Sequence, residues 1–195
     1  MADFAVALMR TLGHEGVEFT LDGQVKPGKT GHGNNPDDPG KETNFGIPVA
    51  EAQADGWSLP MGEMTYEFAV DHYRRKFWNP ILGDAITDQE VAYELFDTAV
   101  NCGIGTTIKF IQRALNALNI KGTLWADIKA DGWLGGATLG ALNSALASRP
   151  WMRLCILRAI DSLQAVRYIN LAEKNQKFET FLPGWIRARC GVKEE

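Results

Sequence analysis

Glu15 is the first residue of the chain whose position suggests chemistry, because it lies where a predicted helix meets a glycine. The negative end of a helix dipole and partial burial both favour the protonated form of a carboxyl group. A carboxyl group that keeps its proton near neutral pH can act as a general acid toward a leaving-group oxygen. The sequence therefore makes Glu15 a candidate general acid, the alternative being an exposed glutamate at a helix end.

Three further polar residues follow Glu15 at a distance that a returning hairpin could span. Hydrolysis of a glycosidic bond needs a second polar group across that bond, which activates water or stabilises the developing cation. Asp37, Asp38 and Thr43 come 22 to 28 residues after Glu15, and a hairpin returning through residues 43–47 would place them opposite it. The stretch Asn-Pro-Asp-Asp-Pro-Gly is equally typical of a turn in which aspartate caps the backbone.

The elements expected to position these residues are a first helix and a small β lobe. Apolar residues recur every three to four positions over residues 3–14, which predicts an amphipathic helix. Residues 17–21 and 43–47 predict two short strands. From about residue 59 the pattern is helical, so the sequence predicts a mainly α fold with a small β-hairpin lobe after the first helix.

Two further helix starts are indicated by local signals. Thr87 and Glu90 have the spacing of a capping box. Pro150 stands where proline opens a helix, and this helix is expected to run to about Glu173. The last stretch, residues 178–190, is aromatic and basic and is expected to dock on the rest of the chain.

Two sequence patterns resemble known sites but lack the structure that those sites need. Residues 23–30, GQVKPGKT, fit a phosphate loop, yet the glycines and prolines that follow forbid the helix that would hold the phosphates. We therefore expect a surface turn there. His14-Glu15 begins like the zinc motif H-E-x-x-H, but Glu18 stands where the second histidine is required. The sequence predicts no metal site.

Composition sets further limits on function. The chain has 195 residues, with 20 basic and 24 acidic side chains, and a net charge of -4. This balance argues against a dedicated nucleic-acid binder, which needs a basic face. No apolar run is long enough to span a membrane, and the N terminus does not resemble a signal peptide. We expect synthesis in the cytoplasm and, from three dispersed cysteines without a C-x-x-C pair, no disulfide framework.

The segments EGVEF (15–19) and NPDDPGKETNFGI (35–47) closely resemble glycoside hydrolase family 108. These phage-type N-acetylmuramidases cleave peptidoglycan between N-acetylmuramic acid and N-acetylglucosamine. The family patterns are E-G-G-Y and D-P-x-D-P-G-G-x-T-N-F-G-I, so Val17, Asn35 and Lys41 are departures. Residues 20–32 look like an insertion that enlarges the hairpin.

The resemblance continues along the chain in the same order. FW at 77–78 resembles the family's Y-W, and LFDTAVNCG at 95–103 matches its F-D-x-A-V-N-x-G. FIQRALNAL and DGWLGGATLGALN resemble an associated predicted peptidoglycan-binding region, and residues 181–189 resemble a terminal F-x-x-G-W-x-x-R pattern. The resemblance implies a lysozyme-like fold with a catalytic part over residues 1–105, including a β lobe at about 17–48. Residues 106–195 would pack on the catalytic part as a helical region, and they either bind the wall or only pack.

The resemblance also implies roles for individual residues. Glu15 corresponds to the catalytic glutamate, and Asp38 and Thr43 would hold the attacking water, which gives inversion. Asp37 is the alternative carboxylate, and neither the choice between the two nor the stereochemical outcome follows from spacing. Substrate contacts are expected from four residues, which are Asp37, Asn44, Asp97 and Asn101.

Some candidate substrate contacts have structural alternatives. Asp97 and Asn101 lie four residues apart on one helix face, where they either line the sugar groove or satisfy buried backbone groups. Trp57 and Trp125, in loops, are candidates for stacking on sugar rings. The other four tryptophans are interpreted as packing residues: Trp78, Trp133, Trp151 and Trp185.

The function predicted from sequence is that of a lysozyme-type peptidoglycan hydrolase that needs no cofactor. The alternatives are a non-catalytic peptidoglycan-binding protein on the same fold and a wall amidase or peptidase. The expected partner is bacterial peptidoglycan, with no nucleic acid, no integral membrane segment and a monomeric state. Action on the wall would require release through a holin-type pore or secretion, and both a phage endolysin and a secreted bacterial muramidase fit the sequence.

Overall fold

The computed structural model describes residues 1–34 and 42–190, and this part of the chain is mainly helical with a small β lobe. It forms two compact units. The first unit is Asp3–Asn79, and the second unit is Pro80–Glu195 together with Met1–Ala2. The prediction of a mainly α fold with a β lobe after the first helix is confirmed. The predicted domain boundary at residues 105/106 stays a prediction.

The first helix, α1 (Phe4–His14), forms where the apolar spacing predicted it. The Asp3 side chain caps its N terminus by accepting a hydrogen bond from the backbone N–H of Ala5 at 2.8 Å. Phe4, Leu8 and Leu12 lie on its buried face. Because glycine follows at position 16, Glu15 becomes the C-terminal cap residue of the helix, with its side chain beside the β lobe.

The β lobe consists of two small antiparallel sheets that follow α1 directly. In the first sheet Val17 pairs with Thr30, and in the second Thr43 pairs with both Gly33 and Pro48. The backbone N–H of Phe45 donates to the Thr30 carbonyl at 2.9 Å and joins the two sheets. The strands are β1 (Val17–Phe19), β2 (Val25–Thr30), β3 (Gly33–Asn34), β4 (Glu42–Asn44) and β5 (Ile47–Pro48).

Two expectations about this lobe are wrong. Residues 43–47 do not form one strand, because Phe45 and Gly46 have φ of 50° and 71° and make a two-residue hairpin turn between β4 and β5. Positive φ at both central positions is the geometry of a type I′ turn. Residues 23–30 are not a surface turn, since most of them form β2. They do not lead into a helix, which agrees with rejecting the phosphate loop.

The rest of the first unit is helical. It contains α2 (Val49–Ala54) and α3 (Tyr66–Tyr73), and α3 runs into a five-residue π turn, Arg74–Trp78. The sequence predicted one helix over 65–77 and missed α2. The Thr65 hydroxyl caps α3 by accepting from the backbone N–H of Phe68 at 3.2 Å.

The second unit is a bundle of five helices in the described part of the chain. The long helix α7 packs against the other four. Its buried face includes Met152, Ile156 and Ile160, spaced four residues apart. The helices are α4 (Gln89–Cys102), α5 (Ile104–Leu118), α6 (Gly136–Ser148), α7 (Met152–Lys174) and α8 (Leu182–Arg189).

Two predicted helix starts in this unit are wrong. The cap of α4 is Asp88, whose carboxylate accepts from the backbone N–H of Val91 at 3.0 Å. Thr87 instead hydrogen-bonds Asn143 on α6 through both its backbone N–H and its hydroxyl. Helix α7 begins at Met152, two residues after Pro150, because residues 149–151 form a turn closed by a bond from the Met152 N–H to the Arg149 carbonyl.

Candidate active site

The Glu15 side chain lies half-buried against the turn between β4 and β5. A Cβ placed on Gly46 would lie 2.7 Å from Glu15 Cγ and 3.1 Å from its Cδ, both closer than packed carbon atoms allow. Only glycine therefore fits at position 46 with Glu15 in this place. The sequence predicted that a hairpin returning through residues 43–47 would place Asp37, Asp38 and Thr43 opposite Glu15. The structure places Gly46 of this segment against Glu15, and the placement of the three polar residues opposite Glu15 stays a prediction.

A second glycine fixes the backbone of Glu15. A Cβ on Gly31 would overlap the Glu15 carbonyl oxygen. Gly31 has φ of 68°, a conformation that glycine adopts without strain. The catalytic candidate is thus held at its main chain by the segment after β2 and at its side chain by the β4–β5 turn.

The turn that contacts Glu15 is itself anchored by hydrogen bonds. The Phe45 side chain is buried although its backbone is in the left-handed region, where non-glycine residues are strained. Its N–H donates to the Thr30 carbonyl and to the Asn44 side-chain oxygen, each at 2.9 Å. Its carbonyl accepts from the Tyr73 hydroxyl at 2.9 Å. These bonds offset the strain and hold the turn in one conformation.

Tyr73 is a residue that the sequence did not single out for the site. Its hydroxyl would lie 2.9 Å from a Cβ on Gly46, so it reaches the same turn that contacts Glu15. Tyr73 is buried at the end of α3, 28 residues from Phe45. No local spacing links two residues so far apart, so the sequence gives no signal for this contact.

The predicted residues of the β4–β5 hairpin have different environments. Thr43 is half-buried at the centre of the three-stranded sheet. The proposed substrate contact by Asn44 is corrected, because Asn44 is fully buried. Its side-chain amide donates to the Met61 carbonyl at 2.7 Å and its oxygen accepts from Phe45. Asn44 therefore stabilises the hairpin and presents no surface to a ligand.

Asp37 and Asp38 lie outside the described residues, so both remain predictions. The strands that flank them are described, and Asn34 of β3 pairs with Glu42 of β4. The Glu42 carboxylate also lies 2.9 Å from His32 Nε2.

Asp97 and Asn101 lie on α4 in the second unit, one turn apart as predicted. Asp97 is buried and accepts from the Arg189 guanidinium at 3.0 Å. The Asn101 amide donates to the Asp97 carbonyl at 2.7 Å. The structural alternative is therefore favoured for Asp97, which anchors the C-terminal helix α8. This contact also explains why the aromatic and basic stretch docks. Sugar binding by Asn101, which is exposed, stays a prediction.

The tryptophans differ from the expectations in two cases. Trp78 is fully buried, whereas Trp133 and Trp151 are 74% and 49% exposed. The loop tryptophans are half-buried: Trp57 packs on Phe68, and Trp125 donates its indole N–H to the Leu115 carbonyl at 3.1 Å. Sugar stacking by these two stays a prediction. Interpreting Trp133 and Trp151 as packing residues was wrong, because about half or more of each side chain is open to solvent.

A buried ion pair supports the first unit away from Glu15. His72 Nδ1 lies 2.6 Å from Asp55, and Lys76 lies 3.2 Å from the other oxygen of the same carboxylate. Burial lowers the pKa of His72. Burial opposes the ionisation of Asp55, but the hydrogen bonds from His72 and Lys76 outweigh it and lower the pKa of Asp55. This network joins α2 to the end of α3.

Within residues 1–34 and 42–190, no three histidine, cysteine or acidic side chains are grouped so that they could hold a metal ion. None of the helices in this part of the chain is long and apolar enough to cross a membrane.

A family described as Glycosyl hydrolase 108 matches residues 8–103, and one described as Predicted Peptidoglycan domain matches residues 106–190. The structure is similar to that of Brucella abortus SagA, with 23% sequence identity, a TM-score of 0.64, and coverage of 95% of this chain and 91% of that chain. Comparison with curated proteins gives no match.

The likeness to SagA shows a shared fold, and the predicted lysozyme-like fold class is confirmed. The two family matches follow each other with a gap of two residues and include most of the motifs on which the resemblance was based. The chain therefore joins a glycosyl hydrolase 108 domain to a predicted peptidoglycan domain, and it is a glycoside hydrolase that acts on peptidoglycan.

Proposed function

We propose that the protein is an N-acetylmuramidase that hydrolyses the bond between N-acetylmuramic acid and N-acetylglucosamine. The observation that supports this proposal is the placement of the Glu15 side chain against the turn of the hairpin that contains Thr43. This placement supports the proposal because glycoside hydrolysis needs a carboxylic acid that protonates the leaving oxygen and a second polar group across the scissile bond.

In the proposed reaction Glu15 gives its proton to the glycosidic oxygen that joins the two sugars. The bond from C1 of N-acetylmuramic acid to this oxygen breaks, and the electron pair stays on the oxygen, which leaves as the 4-hydroxyl of N-acetylglucosamine. A water molecule adds to C1 and loses its proton to Asp38, while the Thr43 hydroxyl orients that water. Attack from the opposite face gives inversion. Asp37 is the alternative base.

The proposal extends to the organisation of the chain. Residues 1–105 would cut the glycan, and residues 106–195 would hold the enzyme on the wall. A monomer suffices for this chemistry because all proposed groups belong to one chain. The enzyme would reach the wall after release through a holin-type pore or secretion and would lyse the cell, either as a phage endolysin or as a bacterial muramidase.

Analysis of the digestion products tests the proposed bond. Purified sacculi are incubated with the enzyme, the products are reduced with borohydride, and the fragments are identified by mass spectrometry. The proposal predicts new reducing ends on N-acetylmuramic acid, which become muramitol. Reducing ends on N-acetylglucosamine, or non-reducible 1,6-anhydro ends, would overturn it.

The same experiment separates the remaining alternatives. A wall amidase or peptidase would release amines without new reducing ends. A non-catalytic binding protein would sediment with the sacculi and release neither product. Either result would contradict the proposed function.

A further inference from the structure

Trp133 is exposed in a way that packing does not explain. It lies in the loop before α6, within the residues that match the predicted peptidoglycan domain, and it is 74% exposed. A Cβ placed on Gly135 would lie 3.4 Å from both Cδ1 and Nε1 of Trp133, so the indole rests over this glycine. The ring is supported from below by backbone and is largely open to solvent.

The loop that presents Trp133 is fixed by a buried glutamine. The Gln112 side chain is fully buried. Its amide donates to Asp131 and to the Trp133 carbonyl, each at 3.0 Å, and to the Thr138 hydroxyl at 3.2 Å. Its oxygen accepts from the Gly132 N–H at 2.9 Å. Binding of a ligand to the indole would therefore not carry the entropic cost of ordering this loop.

A small recess with both polar and apolar lining opens beside the indole. It has a volume of about 130 Å³, and Lys129, Asp131 and Thr138 contribute its polar groups while Ile128 and Ala137 contribute apolar surface. The hydrogen bond from Gln112 and the backbone N–H of Trp133 lower the pKa of Asp131. The residues that line the recess thus include an acidic and a basic residue in addition to Trp133.

We propose that this Trp133 recess is a non-catalytic binding site for the glycan of peptidoglycan, in which an N-acetylhexosamine ring stacks on the indole and its acetamido group enters the recess. Sugar rings present C–H groups on one face, which pack on an aromatic ring, and polar groups at the edge, which need donors and acceptors nearby. The recess is too small for a whole sugar ring and suits one substituent of a ring lying on Trp133.

The charges around Trp133 favour a saccharide over a stem peptide. One cation and one anion line the recess, Lys129 and Asp131. The stem peptides of peptidoglycan carry several carboxylates and would need an excess of cations. The N-acetylated glycan is neutral apart from the groups that bear the peptides. The inference rests on the proposed function because it takes wall glycan as the ligand. It concerns retention of the enzyme on the wall and not cleavage of the glycan.

Binding is tested in the catalytically impaired Glu15→Gln background, so that the sacculi stay intact. We expect Trp133→Ala to lower the affinity for purified sacculi by about five- to tenfold. The matched control is Trp151→Ala, since Trp151 is also an exposed indole of the same unit, 49% exposed, and lies outside the recess. Trp133→Phe keeps a smaller aromatic face and should retain part of the affinity.

Competition identifies the ligand chemistry. The tetrasaccharide of β-1,4-linked N-acetylglucosamine should displace the Glu15→Gln protein, which retains Trp133, from sacculi. A synthetic stem peptide should not displace it. Displacement by the peptide alone would overturn the saccharide assignment, and unchanged binding of Trp133→Ala would overturn the site. These readouts measure retention on sacculi without catalysis. The binding site can therefore be disproved while the product analysis supports the proposed function, and the proposed function can be disproved while the binding site is supported.

Discussion

The side chain of Glu15 and the backbone of Gly46 are packed so closely that no other residue fits at position 46. A Cβ there would approach Glu15 Cγ to 2.7 Å and the Tyr73 hydroxyl to 2.9 Å. The segment Thr-Asn-Phe-Gly-Ile, which supports the family resemblance, thus has a structural role in this chain. It forms a two-residue turn whose glycine accommodates the proposed catalytic carboxyl group.

Replacement of Gly46 should distinguish the effect of this contact on activity from the effect of backbone strain. Gly46→Ala should abolish most sugar-bond cleavage, because the added methyl group displaces Glu15, and should lower the free energy of unfolding by about 1–3 kcal/mol. Gly28→Ala is the matched control, since φ is 71° at Gly46 and 70° at Gly28, but nothing lies within 4 Å of a Cβ at Gly28. Equal activity losses in the two variants, measured on sacculi alongside chemical denaturation, would contradict the account.

The Tyr73 hydroxyl should contribute measurably to the stability of the turn. Tyr73→Phe keeps the ring but leaves the Phe45 carbonyl without this donor, at a cost of about 1–3 kcal/mol in chemical denaturation. Tyr66→Phe is the control. Its ring centroid lies 6.1 Å from that of Phe45, and the structure shows no hydrogen bond from its hydroxyl to any described residue. Similar losses of stability in both variants would argue against the Tyr73 bond as the anchor.

A half-buried carboxyl pair in the second unit, Glu94 and Asp161, predicts a pH dependence of stability. Burial and the charges of Asp161 and Asp97 raise the pKa of Glu94 to about 8, and burial also raises the pKa of Asp161. Between the ordinary value of 4.5 and about 8, the folded chain keeps a proton that the unfolded chain has lost. The stabilisation is therefore complete below pH 4.5 and is lost as the pH rises through about 8.

Replacement of this acid by its neutral analogue tests the pH dependence. Glu94→Gln retains an acceptor for the Thr98 hydroxyl, 3.2 Å from the carboxylate, and introduces no charge. The Tm of the variant should exceed that of the wild type at pH 8.5 by a larger margin than at pH 5, when both are measured by thermal denaturation. Parallel Tm curves across this range would show that Glu94 does not titrate as described.

Much of the helical framework could be predicted from the sequence because its signals are local. Phe4, Leu8 and Leu12 recur every four residues and define α1. Strand β2 could not be predicted, because it is mostly exposed and contains Pro27 and Gly28, which break any alternation. It is stabilised by backbone pairing and by cross-strand ion pairs from Lys26 and Lys29 to Glu18 at 3.2 and 3.1 Å.

The sequence could predict which residues belong to the candidate site, but it could not predict how these residues contact one another. The spacing and the resemblance selected Glu15 and Thr43, and the structure places Gly46 of the same hairpin against Glu15. The positive φ of Phe45 was not expected, because it depends on partners remote in sequence such as Tyr73. The amide of Asn44 looked available for substrate, but tertiary contacts bury it completely.

The most direct test of the account is the rate at which Glu15→Gln releases reducing N-acetylmuramic acid ends from purified sacculi. Glutamine preserves the shape of the side chain but cannot act as the acid. The matched control is Glu18→Gln, which removes an exposed carboxylate of the same lobe that pairs with Lys26 and Lys29. We predict that Glu15→Gln remains folded and loses about 10²–10⁴-fold in rate, while Glu18→Gln cleaves at the wild-type rate. A folded Glu15→Gln variant that cleaves as fast as the wild type would contradict the central claim.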